Sequence, residues 1–239
     1  MKTSVFAIGD LHLAGAVDKP MDIFGKQWEG HWERIKKDWE ERVSSDDIVL
    51  IPGDISWAMK LSDAKIDLDN IAKLPGKKIL VKGNHDYWWS SVSKVRSVLP
   101  SSMRVLQNDS VTVSGFAFCG TRGWINPEMK DFTQQDAKVY NREVQRLKLS
   151  LDSVALLQQT EKDMEESNAL IVMIHYPPFD DKGQPTEIVN ILTQYRPDHV
   201  VYGHLHGEGS RIAFEGEYEG VEYHLVSCDY LNFQLKQIV

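Results

Sequence analysis

Residues 79–86 read Ile79-Leu80-Val81-Lys82-Gly83-Asn84-His85-Asp86: a short apolar run, then a glycine, then side chains that bind cations or carry protons. The pattern recurs. Val5 to Ile8 leads into Gly9-Asp10-Leu11-His12, and Ile48 to Ile51 into Pro52-Gly53-Asp54. Leu170 to Ile174 leads into His175, and Val200 to Tyr202 into Gly203-His204-Leu205-His206. With Phe116 to Cys119, these nearly continuous apolar runs read as strands covered on both faces.

The intervening stretches have helical spacing. Trp28, Trp32, Ile35, Trp39 and Val43 form one apolar stripe; so do Leu61, Ala64, Leu68 and Ile71. Trp88, Val92, Val95 and Leu99, and Val144, Leu147, Leu151 and Val154, follow the same spacing. Strands alternating with helices predict an α/β fold with parallel pairing and right-handed crossovers. After His206 the texture changes, and Arg211 to Phe214 with Val221 to Val226 predict an antiparallel hairpin. No repeat or linker marks a boundary, so residues 1–239 are expected to form a single domain, with 123–167 as an insertion or cap.

The chain has 239 residues, 42% hydrophobic and 26% charged, which excludes disordered, collagen-like and disulfide-scaffold classes. Its 27 basic and 35 acidic residues leave −8, so no broad cationic surface is available to grip nucleic acid, and long nucleic acid is not an expected partner. The opening residues do not read as a secretory signal, and no apolar run reaches the roughly 18 residues of a membrane span. The expectation is a cytoplasmic protein without a membrane partner, with Cys119 and Cys228 reduced and buried.

In an open α/β sheet ligands bind outside the carboxyl ends of the strands, so the side chains after these runs are expected to converge. Asp10 and His12, like His204 and His206, are two apart and project to one side of extended backbone. Glycines at 9, 53, 83 and 203 permit sharp turns and close backbone approach. The mixture of carboxylate, imidazole and amide suits zinc, manganese or iron better than calcium. Asp10, His12, Asp54, Asn84, His175, His204 and His206 are too many for one four-coordinate ion. They suit two divalent ions about 3.5–4 Å apart sharing one carboxylate.

These five ordered motifs, D-x-H, G-D, G-N-H-D, a strand-end His and G-H-x-H, resemble the calcineurin-like metallophosphoesterase superfamily from Asp10 to His206. The resemblance implies two packed mixed β-sheets flanked by helices. It implies that Asp10, His12 and His206 hold one metal, that Asn84, His175 and His204 hold the other, and that Asp54 bridges them. It also implies that His85 acts on the leaving group with Asp86 orienting its ring, and that a bridging hydroxide attacks phosphorus. Two divalent ions, two ligand carboxylates and one hydroxide sum to +1, so a phosphate ester is attracted locally despite the acidic chain. Ile55-Ser56 after Gly53-Asp54, and Asp86 closing the third motif, depart from the protein-phosphatase branch. The likeness is greater to bacterial phosphodiesterases and general phosphoesterases.

Two further residues are candidates for substrate binding. Trp88, in Tyr87-Trp88-Trp89, can stack a flat group or simply begin the helical stripe; Arg122 can fork onto phosphate oxygens or form an ion pair. His31, His199 and His224 match no motif and read as structural. The expected activity is hydrolysis of small phosphate esters, as a phosphodiesterase or small-molecule phosphatase. The alternatives are a nuclease acting on short nucleic acid and a non-catalytic scaffold. The metal-binding H-x-H-x-D-H and H-E-x-x-H clusters of other hydrolases and the Lys-containing phosphate loop of nucleoside triphosphatases are absent.

Overall fold

The computed structural model describes residues 2–160 and 169–239. The chain divides into two compact units, Met1–Val105 with Val226–Val239, and Leu106–Leu225. Each has its own mixed sheet, flanked by helices, and its own apolar core.

In the first unit, β1 (Val5–Ala7), β2 (Ile48–Pro52), β3 (Lys77–Val81) and β4 (Met103–Val105) run parallel in that order. The short β11 (Lys236–Gln237) closes the edge antiparallel to β1. β2 is buried along its whole length, as its unbroken apolar run requires. Helices α1 (His31–Arg42) and α2 (Leu61–Ala72) contribute Ile35, Trp39, Ala64, Leu68 and Ile71 to the core. The Trp39 ring is fully buried and its indole N–H donates to the Pro75 carbonyl at 2.9 Å, so the polar end is not stranded. Trp28 belongs to the expected stripe but lies in a 3₁₀ turn, because Gly30, at φ 60°, separates it from α1.

The second unit has the strand order β5-β6-β7-β8-β10-β9. Its centre, β6 (Phe116–Thr121), β7 (Leu170–Ile174), β8 (His199–Tyr202) and β10 (Val221–Leu225), is parallel. β5 (Ser110–Val113) and β9 (Gly216–Tyr218) are antiparallel edges. Helix α4 (Gln134–Thr160) begins with reciprocal bonds between Thr133 and Asp136, and buries Tyr140, Val144, Leu147, Leu151 and Val154 in this core. Part of the expected cap, 134–160, is therefore this core helix; 161–167 lie outside the described residues. Helix α5 (Glu187–Tyr195) is capped by Thr186, which accepts from the Ile188 N–H.

Two local expectations need correction. The stripe from Trp88 yields only α3 (Val92–Arg96), and Trp88 lies in the preceding loop. The expected hairpin arm at 211–214 is partly a 3₁₀ turn, Gly207–Ile212, and the actual arm is β9, whose alternating exposure leaves no apolar run to read. Among the described residues no helix is long and apolar enough to cross a membrane.

Candidate active site

In the first unit the chemistry-bearing residues stand at the carboxyl ends of β1, β2 and β3, which are neighbours in the sheet. The loops after β1 and β2 are zipped together by backbone bonds. The Asp10 N–H donates to Gly53, that of His12 to Asp54 and that of Leu13 to Ile55, at 2.9–3.0 Å. Asp10 and Asp54 bring carboxylate oxygens within 4.8 Å of each other, as Asp10 and His12 do with an oxygen and a ring nitrogen. Asp54 Oδ2 lies 3.8 Å from His12 Nε2 and 4.0 Å from His85 Nε2. Asp10, His12 and Asp54 are buried, whereas Asn84 and His85 are half-buried.

The backbone beneath these donors is strained. Of nine non-glycine residues with positive φ among those described, Asp10 (58°), His12 (47°), Asp54 (51°) and His204 (74°) are candidate ligands. Left-handed backbone at a side-chain-bearing residue persists only where surrounding bonds hold it, and such strain clusters at functional sites. Gly83 has a different role: a Cβ there would lie 2.0 Å from Asp54 Oδ1, so only glycine lets the β3 turn pass this carboxylate.

Asp86 is completely buried and accepts four N–H groups. Oδ1 receives Ile55 (2.9 Å), Ser56 (3.2 Å) and the Trp88 indole (3.0 Å); Oδ2 receives Gly83 (2.8 Å). The carboxylate thus ties the loop after β2 to the loop after β3. These four donors do not include a nitrogen of the His85 ring, which Asp86 was expected to orient, so its hold on His85 is through the loop backbone. Trp57 stacks on His12 with ring centroids 4.7 Å apart and approaches His85 at 4.6 Å, and Lys19 Nζ sits 3.1 Å above the Trp57 ring. Nothing in the sequence marked Trp57, because an aromatic wall carries no ligand-like side chain.

In the second unit Arg122 and His175 directly follow β6 and β7, and His204 follows β8 after Gly203. The Arg122 carbonyl accepts the N–H groups of His175 and Tyr176, both at 3.0 Å, and the His175 carbonyl accepts that of Gly203 at 3.1 Å. His175 Nε2 and His204 Nδ1 face each other at 3.3 Å. Two nitrogens each about 2.0–2.1 Å from one cation at a tetrahedral angle stand roughly 3.4 Å apart, so this pair fits a shared divalent ion. The Tyr176 ring packs on His204 at 4.2 Å. His206 is half-buried at the same strand end.

The structure corrects one candidate. Trp88 is 2% exposed and spends its indole N–H on Asp86, so it offers no face for a ligand to stack on. Arg122 is mostly enclosed, with Nη2 3.6 Å from Glu143 and its guanidinium 4.3 Å above the Trp124 ring. His31, His199 and His224 have structural bonds: His31 contacts the Trp28 and Leu11 carbonyls, and His199 meets His224 at 3.2 Å. Cys119 and Cys228 are free and buried; burial pushes the Cys119 thiol up to about 12.

A family model described as calcineurin-like phosphoesterase matches residues 3–208. No curated protein matches. Among solved structures, phosphopantetheinyl hydrolase (PptH) from Mycobacterium tuberculosis is similar at a TM-score of 0.55 and 15% identity, over 100% of this chain and 96% of that one. The protein of unknown function AQ665 from Aquifex aeolicus is similar at 0.52 and 15% identity, over 98% and 95%.

Proposed function

The chain belongs to the calcineurin-like phosphoesterase family and is a phosphoester hydrolase; from this premise we propose that it acts through a pair of divalent cations, manganese, iron or zinc. Asp10, His12 and His206 are assigned to one ion, Asn84, His175 and His204 to the other, and Asp54 to both. Residues 1–239 are read as one phosphoesterase domain. When bound, such ions supply positive charge for phosphate oxygens and lower the pKa of a coordinated water.

The remaining steps belong to the chain's own side chains. His85, half-buried and beside Asp54, delivers a proton to the departing ester oxygen. Asp86 holds the loop that carries His85 in place through four N–H bonds. Trp57 walls His12 and His85 against water. Arg122 contacts a substrate phosphate. The substrates are small phosphate esters, with the enzyme acting as a phosphodiesterase or a small-molecule phosphatase, and the site of action is the cytosol.

The strained backbone beneath Asp10, His12, Asp54 and His204 carries this reading, since side chains serving only packing have no need of left-handed conformations. The test is hydrolysis of aryl phosphomonoesters and diesters by purified protein. Manganese should support turnover, chelation should abolish it, and added metal should restore it. Full activity after exhaustive metal removal would overturn the proposal.

A further inference from the structure

Glu143, on α4, is 1% exposed and is approached by three guanidinium groups. Its Oε2 accepts the Thr121 hydroxyl at 2.7 Å, and its Oε1 accepts Arg146 Nη1, also at 2.7 Å. Arg122 Nη2 at 3.6 Å and Arg142 Nε at 3.7 Å reach the same Oε1 but stand beyond hydrogen-bond distance. A single carboxylate therefore meets three cations, and two of the forks keep most of their donors unspent.

Among the described residues no other carboxylate lies within ion-pair distance of these arginines, so the cluster keeps a surplus of two positive charges in a chain whose net charge is −8. Arg122 Nε is buried with no hydrogen-bond partner, an arrangement that is costly unless an acceptor arrives. Burial disfavours the Arg122 charge, the neighbouring Arg142 and Arg146 act in the same direction, and Glu143 opposes them. The cluster adjoins the histidine pair, because the Arg122 carbonyl accepts the His175 N–H. From Arg122, the Trp124 and Tyr176 rings continue to His204 at centroid separations of 5.4 and 4.2 Å.

We propose that Arg122, Arg142 and Arg146 form a receptor for a second phosphoryl group of the substrate, one that is not cleaved. Planar guanidinium forks match phosphate oxygens in pairs, and three of them around one carboxylate leave room in charge for a dianion. The inference rests on the phosphoesterase reading and narrows it to compounds with two phosphoryl groups.

The experiment compares two substrates with one scissile bond and one leaving group: the p-nitrophenyl ester of thymidine 5′-phosphate, with and without a 3′-phosphate. With manganese-loaded full chain, kcat/KM is expected to be at least tenfold higher for the 3′-phosphorylated ester, mainly through KM. In Arg142→Gln/Arg146→Gln the ratio should fall towards one, with manganese content and circular dichroism like the parent's. Arg142→Gln alone, at an exposed position, should lower the ratio severalfold if loss of Arg146 unfolds the protein, and Arg142→Lys should recover part of it. A ratio near one in the parent, or an undiminished ratio in the variants, overturns the proposal. If neither ester is cleaved, hydrolysis is the reading that fails. Calorimetric binding then decides: tenfold tighter binding of thymidine 3′,5′-bisphosphate than of thymidine 5′-phosphate supports the receptor, and equal binding removes it.

Discussion

Asp54 accepts the backbone N–H of His85 on Oδ1 at 2.8 Å, while its Oδ2 stands 4.0 Å from the same residue's Nε2. One carboxylate therefore sets the loop that carries the candidate acid and presents its other oxygen to the His12 and His85 rings. Backbone placement and chemistry are coupled at this contact.

Asp54→Ala removes both functions. We expect loss of bound metal and a fall in turnover of more than a hundredfold. Elemental analysis of the purified variant after manganese loading checks this; a full metal complement would contradict the assignment of Asp54 as a ligand.

His85→Ala separates proton transfer from metal binding. Metal content should match the parent's, while kcat falls about 10²–10⁴-fold on an alkyl ester, whose leaving group needs a proton. The loss should be smaller on a p-nitrophenyl ester, whose leaving group departs readily as an anion. Equal losses on both esters would reject the role of acid.

Asp86→Ala leaves four buried N–H groups without their acceptor. Unsatisfied buried donors cost about 1–3 kcal/mol each before relaxation, so a loss on the order of 3 kcal/mol is expected. For a chain of this size that corresponds to roughly 6–12 °C in Tm. An unchanged melting temperature would show that the Asp86 bonds do not hold the loops.

Lys78 gives a pH-dependent test. Its side chain is 1% exposed, Nζ donates to the Leu74 and Gly76 carbonyls, and burial lowers its pKa to about 8. Between pH 8 and the ordinary lysine value the unfolded chain binds more protons, so this group's contribution to stability rises with pH across that window. At 1.36 kcal/mol per unit the full rise is about 3 kcal/mol. Cys119 acts in the opposite direction, because its thiol ionises more readily once unfolded. The measurement is therefore the difference in urea stability between the parent and Lys78→Met, at pH 7.5 and 10.5. A difference that does not shift in favour of the parent at high pH would contradict a neutralised buried amine.

The strands beside the site were legible because each is a short apolar run interrupted by a residue that has no place in a core. Leu170 to Ile174 is β7 with no change of boundary, and Val200 to Tyr202 lies within β8. The edge strands β5 and β9 were not legible, because half-exposed positions blur the apolar pattern. Trp88 misled for a related reason: helical spacing reports which residues are buried, and Trp88 is buried in a loop by its bond to Asp86.

The order of Asp10, His12, Asp54, Asn84, His85, His175, His204 and His206 along the chain was sufficient to identify the family, because its motifs are short runs of metal-capable and proton-carrying side chains that stay legible in the sequence. Only the tertiary structure disclosed the four N–H bonds to Asp86, the Trp57 wall and the three arginines around Glu143. Those arrangements join residues remote in sequence through distances and unshared hydrogen bonds, quantities that exist only after the chain has folded.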